Sequence, residues 1–388
     1  MDRLRVPLSL VLLAALAAAA AAQPPAKDAD PLVPFARIVG GEWKTTFASG
    51  KSMVDVWHWG PGRRSLRVIT HGDAAAGGPW RGVEIIYWHP GRKEIRSLSL
   101  NPYAQSVSEG VVKLEGDTAE TVADLHQTGR LRKITTRREF AGPEKNRVSL
   151  LEETAPGKLT PLVAWDYIRS KTLTPIVPPA AAKARKAPDR LAALEPLLGR
   201  VWKTSLNLGD GNQPVETIFE RIPHLDVLYG RSFAFIVNGV PDHAFDIYLY
   251  HHVGAGRLRC LALSSQGALF EGDVEVRAGG RLELALKGAQ GDRDLSYVLG
   301  LEPEKDGTFH QRLWTPAAGG ARGGRTLLHE SQHSPAKMSG DLMTVFQAAG
   351  GDYWFCSYTG GAFRYDGNTV VRFNSSDGLP ADRVEGVQ

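Results

Sequence analysis

The sequence predicts an all-β chain made of two antiparallel meander barrels in tandem, and three observations carry that prediction. The first is composition: 42 glycines and 24 prolines among 388 residues supply turn formers throughout. The second is the shortness of the β-rich runs, which those residues bound. The third is an internal duplication. An apolar share of 43% and a charged share of 23% are those of a globular chain, and the length accommodates two or three domains, each with its own core.

The duplication rests on four blocks that recur in the same order. Gly40-Gly41-Glu42-Trp43-Lys44-Thr45-Thr46 matches Gly199-Arg200-Val201-Trp202-Lys203-Thr204-Ser205, and Ile95 to Leu100 matches Leu258 to Leu263. Glu109-Gly110 falls against Glu271-Gly272, and Leu150 to Thr154 against Leu327 to Ser331. Within the first copy, Glu84 to Tyr87, Ile95 to Leu100, Val111 to Leu114 and Ile134 to Phe140 read as strands. The second copy answers with Ala244 to His251, Leu258 to Leu263, Asp273 to Val276, Leu282 to Leu286 and Leu295 to Leu299. Connections such as Ala278-Gly279-Gly280-Arg281 are of hairpin size. Successive hairpins form a meander, and closing the meander into a barrel removes its edges.

The flanking segments set the organisation. Arg3 and Arg5 precede an apolar run from Val6 to Ala22 that ends in alanines, the pattern of a cleavable export signal over 1–22. No later segment is apolar enough to span a bilayer, so after cleavage the expectation is a secreted or periplasmic protein with no integral membrane segment. Residues 30–170 form the first module, 171–188 a Pro-, Ala- and Lys-rich linker, and 189–334 the second module. Asp189 to Glu195, after Pro188, reads as a short helical lead-in to Trp202. The net charge is +4 and the basic residues are scattered, which excludes a nucleic-acid surface. The two cysteines, Cys260 and Cys356, make no disulfide framework, and Cys260 alternates with Leu258 and Ala262 like a buried small hydrophobe.

On Gly41-Glu42-Trp43 and a basic residue near the last strand, Arg147 or Arg325, the modules resemble the calycin superfamily of lipocalin-like and nitrobindin-like barrels. The second copy departs from the pattern by spacing Gly199 and Trp202 one residue wider. The resemblance implies a central cavity, with Trp43 and Trp202 closing the barrel floors under an arginine of the final strand. It also implies a possible haem contact through a late histidine, His329 or His333.

The C-terminal stretch, 341–388, differs in kind. Asp352-Tyr353-Trp354-Phe355, Gly360-Gly361-Ala362-Phe363-Arg364-Tyr365-Asp366-Gly367, Val370 to Phe373 and Asp377-Gly378-Leu379-Pro380 resemble one unit of the two-component-regulator propeller repeat of sensory ectodomains. Asp341, Met343, Phe346 and Gln347 recur as Asp382, Val384, Val387 and Gln388, so a second unit begins. An incomplete blade lacks the neighbours that bury its faces, and the segment is expected to pack poorly on its own.

Among motifs with chemistry, His329-Glu330-Ser331-Gln332-His333 matches H-E-x-x-H. Zinc hydrolysis through it needs a helix, which puts both histidines on one face and the glutamate over the water. Its alignment with a strand of the first copy, and Pro335 just beyond, predict a final barrel strand instead. Trp57 and Trp59 share a strand face and could stack on a sugar or flat ligand, although core or cavity lining is the commoner meaning of such a pair. His251 and His252 point to opposite faces. There is no G-x-S-x-G elbow, Walker loop or C-x-x-C pair. The expectation is therefore a non-enzymatic exported protein that binds a small, partly apolar ligand or a protein partner, with no cofactor, possessed of sensory-type sequence at its end. Two rivals are a zinc-dependent hydrolase using His329, Glu330 and His333, and a structural module with filled barrels.

Overall fold

A computed structural model of the chain describes residues 30–373 except 73–79, 102–104, 171–188, 199–200, 208–211, 223–224, 236–240, 305, 317–324, 337–341, 348–352, 358–360 and 366–369. The segments expected to be an export signal and a linker, Gly199, the Gly-Leu-Pro turn and the residues from Asp382 onward lie outside the described residues. Everything described is strand, turn or short 3-10 helix.

The first barrel comprises β1 (Glu42–Thr46), β2 (Ser52–Trp59), β3 (Ser65–Gly72), β4 (Trp80–His89), β5 (Glu94–Asn101), β6 (Ser106–Glu115), β7 (Thr118–Gln127), β8 (Arg130–Phe140), β9 (Lys145–Ala155) and β10 (Lys158–Ser170). The second comprises β11 (Val201–Asn207), β12 (Asn212–Arg221), β13 (Val227–Phe235), β14 (Pro241–His252), β15 (Arg257–Ser264), β16 (Leu269–Val276), β17 (Leu282–Gln290), β18 (Arg293–Pro303), β19 (Phe309–Thr315) and β20 (Thr326–Ala336). Each is an up-and-down antiparallel ring. A short seam closes each one, Trp43 opposite Arg169 in the first and Trp202 opposite Pro335 in the second. Closure leaves no barrel edge to pair with another chain.

The same device plugs both floors. A 3-10 helix, Val33–Arg37 or Ala192–Leu197, runs under the barrel. The buried indole above it donates from Nε1 to a carbonyl five residues earlier, Trp43 to Ile38 O at 2.8 Å and Trp202 to Leu197 O at 2.9 Å. The repeated Glu-Gly block also has a local reason. A Cβ on Gly110 would lie 2.5 Å from Val122 O, and one on Gly272 1.9 Å from Ala285 O, so the neighbouring strand approaches too closely for any side chain.

The fourth repeated block pairs differently from its appearance in the sequence. Asn146 stands opposite Tyr167, and Phe309 opposite His333, which makes β9 the counterpart of β19 and β10 the counterpart of β20. Leu150 to Thr154 therefore matches the strand before the one that holds Leu327 to Ser331.

The outer faces of the barrels meet around a pseudo-two-fold axis. Tyr87 Oη donates to Glu271 Oε1 at 2.5 Å, and its counterpart Tyr250 donates to Glu109 Oε1 at 3.1 Å. Arg259 adds a 2.7 Å hydrogen bond to Glu109, and His252 lies 3.7 Å from the same carboxylate. Around these polar pairs, Ile85, Leu98 and Leu100 pack with Val227, Leu261 and Leu263 in one buried cluster. The duplicated modules thus dock through equivalent surfaces, as the halves of a symmetric dimer do.

The remaining strands, β21 (Leu342–Gln347), β22 (Tyr353–Ser357), β23 (Gly361–Tyr365) and β24 (Val370–Phe373), form a four-stranded antiparallel sheet. β22 is anchored on the barrels. Tyr353 Oη accepts a 2.7 Å hydrogen bond from Arg67, the Arg231 guanidinium lies 4.4 Å from the Tyr353 ring centroid, and Phe355 meets Phe233 edge-on at 4.9 Å.

Candidate functional site

Register places the interiors of the two barrels side by side, residue for residue, and they differ in chemistry. In the first barrel Trp43 opposes Asp55 and Asp55 opposes Thr70; in the second Trp202 opposes Thr217 and Thr217 opposes Ser232. By the same pairing, Trp57 corresponds to Phe219, Glu84 to Ile247, Ser97 to Cys260, Arg138 to Leu301 and Tyr167 to His333.

The first interior carries a charged network. Asp55 accepts a hydrogen bond from Thr70 at 2.8 Å and faces Arg138 at 3.5 Å. Arg138 also donates to Asn146 at 2.8 Å and lies over the rings of Trp57 and Tyr167, at 4.8 and 5.6 Å. Ser97 donates to Glu84 at 2.7 Å. Burial pushes the Asp55 carboxyl above its ordinary value, while Arg138, Thr70 and Tyr167 pull against that rise. Burial raises Glu84 as well, with the Ser97 hydrogen bond opposing it. Trp57 and Trp59 are both buried. Trp57 stacks on Phe35 at 6.2 Å, and Trp59, also buried, lies under Arg63 at 5.4 Å.

The second interior holds a cavity of about 80 Å³. Its wall is apolar, with Phe219, Phe245, Ile247, Phe270, Leu286 and Leu301 prominent, and its polar groups are few: Thr217, Ser232, Gln311 and His333. Thr217 and Ser232 share a 2.8 Å hydroxyl–hydroxyl hydrogen bond where the first barrel has Thr70 on Asp55. His333, buried, stacks on Phe309 at 4.5 Å, and Phe309 in turn contacts the floor residue Trp202 at 4.5 Å. Cys260 lines the wall, and burial pushes its thiol up to about 12, which keeps it neutral and unreactive. Since one water takes about 10–15 Å³ of such space, the cavity suits an occupant of roughly six to eight heavy atoms.

The H-E-x-x-H segment lies within β20. Residues four apart on a strand are separated by about 13 Å, so His329 and His333 cannot share one ion through this spacing. Glu330 is on the outside, hydrogen-bonded by Arg312 at 2.8 Å and 3.6 Å from His310. Among the described residues no group of three or more His, Cys, Asp or Glu side chains could hold a metal ion.

The floor arginine is Arg169 of β10, not Arg147 or Arg325. Its guanidinium lies 4.9 Å from the Trp43 ring and donates to Arg37 O and Gly40 O, at 3.0 and 3.2 Å. Gly41 packs beside it. Arg147, half-exposed on β9, pairs with Asp166 at 3.6 Å. Arg325 precedes β20 and pairs with Glu283 at 2.9 Å; its hydrogen bond first, against burial, holds the Glu283 carboxyl down at about 2. The second barrel has Pro335 at the register position of Arg169. His252, expected at a hairpin surface, is buried in the inter-barrel contact, its ring 4.7 Å from that of His126. Cys260 and Cys356 are both free.

Thr217, Ser232, Gln311 and Phe270 were not singled out from sequence. The signal for them is the alternation Val215, Thr217, Phe219 and Phe245, Ile247, Leu249, which becomes informative only once each position is set against its charged counterpart in the first barrel. Among the described residues, no helix is long and apolar enough to cross a membrane. No family model matches the chain, and no curated protein matches it in sequence.

Proposed function

We propose that this chain is a non-enzymatic binding protein whose second barrel takes a small, largely apolar molecule carrying one hydrogen-bonding group, while the first barrel serves as its rigid platform. The observation that carries the reading is the contrast in the interiors. Every ionisable member of the first network has a neutral counterpart in the second or, at His333, one that is neutral when unprotonated, and the space so released is lined by apolar side chains. Such a wall gives affinity through burial of the ligand's surface, and a hydroxyl pair plus an amide and an imidazole fix its orientation. The strand geometry of His329 to His333 and the outward Glu330 weigh against hydrolysis as the use of this site.

The proposal extends to location and context. The Arg3/Arg5-led apolar run supports export, and the likeness of 341–388 to a sensory propeller repeat supports a role as the ligand-facing part of a sensory ectodomain.

Calorimetric titration with phenol and benzene tests the core of this reading. Both should bind once per chain, and Ala262→Leu, which fills the cavity, should abolish both. Thr217→Val should weaken phenol by about fivefold, the scale of one hydrogen bond, and leave benzene unchanged. Absence of binding by either compound to the wild type would remove the proposal.

A further inference from the structure

The wall of the cavity formed by β13 and β14 has a second face, and that face is as deeply buried as the first. Tyr229, Arg231 and Phe233 on β13, with Asp246 and Tyr248 on β14, point out of the barrel yet are almost wholly inaccessible. They are covered by the first barrel on one side and by β22 on the other. Arg67 of the first barrel lies 4.5 Å from the Tyr229 ring, and Tyr353 and Phe355 of β22 sit on Arg231 and Phe233. Immediate neighbours therefore have opposite duties: Ser232 lines the cavity, and Arg231 and Phe233 hold the C-terminal sheet. The β13–β14 pairing shifts register between Ser232 and Phe233, and such a bulge is where a strand most readily changes its local course.

The grip on the sheet is also one that can yield. The Arg231 guanidinium is buried with a single ion pair, Nη2 to Glu220 at 2.7 Å, while its Nε and Nη1 make no hydrogen bond among the described residues. Buried donors left without partners oppose docking. The side of the wall against the first barrel is closely packed: a Cβ on Gly60 would lie 3.3 Å from Oδ2 of Asp246 on β14.

We infer that the β13–β14 wall couples the cavity to the C-terminal sheet, so that an occupant pressing on Ser232 and Phe245 loosens the hold of Arg231 and Phe233 on Tyr353 and Phe355. This rests on the second barrel being a ligand site, and it adds the regulated element: the sheet is the output. The coupling is a difference in the affinity of the cavity for the docked and loosened arrangements.

Hydrogen exchange of the full chain tests it, with benzene as the probe and Ala262→Leu and Leu286→Phe as variants that occupy the cavity with their own side chains. The expected result is amide exchange at Tyr353–Ser357 about tenfold faster, within the usual span of coupling between sites, in benzene-loaded wild type and in the folded filled variants. Exchange in β7 and β8 should be unchanged. Benzene binding with unaltered exchange at Tyr353–Ser357 overturns the inference and leaves the proposed function standing. If benzene does not bind, the proposed function fails, and the filled variants alone decide the coupling: faster exchange supports it and unchanged exchange overturns it.

Discussion

The first barrel places charged groups in its interior where the second places neutral and largely apolar ones, although the same strands in the same order build both. Asp55, Glu84 and Arg138 lock the first interior into a polar network; Thr217, Ile247 and Leu301 occupy the corresponding places in the second and leave a cavity of about 80 Å³. A duplicated scaffold can thus keep its floor, its turns and its docking face while its inward residues differ in chemistry. Shared architecture identifies the module; the inward positions, compared pairwise, show where the two copies differ.

The largest effect should come from breaking the network of the first barrel. Arg138→Leu leaves Asp55 and Glu84 buried without their cation and should cost about 3–5 kcal/mol in chemical denaturation, the usual consequence of removing one partner of a buried pair. The triple change Asp55→Thr, Glu84→Ile, Arg138→Leu copies the second interior and should recover most of that loss. A triple variant as unstable as the single one would show that the charges are required for more than their mutual compensation.

Filling the hollow barrel is the converse test. Ala262→Leu should abolish phenol binding in the same titration that shows wild-type binding, while changing thermal stability little, because the added methyl groups enter existing space. A large fall in Tm would mean that the cavity is already closed by side-chain motion.

The docking seam should respond to acid. Burial alone would raise the Glu109 carboxyl, but the hydrogen bond from His252 and the charge of Arg259 hold it down at about 2, against an ordinary 4.5. A carboxyl depressed on folding contributes stability that is complete above about 4.5 and is lost as pH falls towards about 2. Unfolding followed across that window should show the loss in wild type, and Glu109→Gln should flatten the response. An equal slope in the variant would assign the acid sensitivity elsewhere.

The smallest effect is expected at the surface. Arg147→Ala removes a half-exposed pair with Asp166 and should change stability by at most about 1 kcal/mol, whereas Arg169→Ala, which strips the cover from Trp43, should cost more by the same denaturation assay. Equal losses would remove the distinction between the two arginines.

Much of the architecture was legible because its causes are local. Turn residues and period-two runs announce strands, and the Trp43 and Trp202 blocks announce the duplication. The fourth block misled by one strand, since Leu327 and Leu150 are apolar for the general reason that barrel strands are, and register is a property of paired chains rather than of either one. For the same cause the floor arginine was sought at Arg147 and Arg325, while Arg169 faces Trp43 only across the closing seam. H-E-x-x-H was readable as a strand through its copy and Pro335. A cavity was expected only from the resemblance, and its place in the second barrel was not readable, because emptiness arises from the summed volumes of side chains on nine strands, and no short motif encodes it. Nor was the tie between Phe233 and Phe355, which are far apart in sequence.

The most direct test of the contrast is a crystal of the full chain under xenon pressure, a probe that enters dry apolar cavities. The account predicts one xenon in the second barrel, against Ile247, Phe270 and Leu286, and none in the first. Xenon within the ring of Asp55, Arg138 and Tyr167, or none in the second barrel, would contradict it.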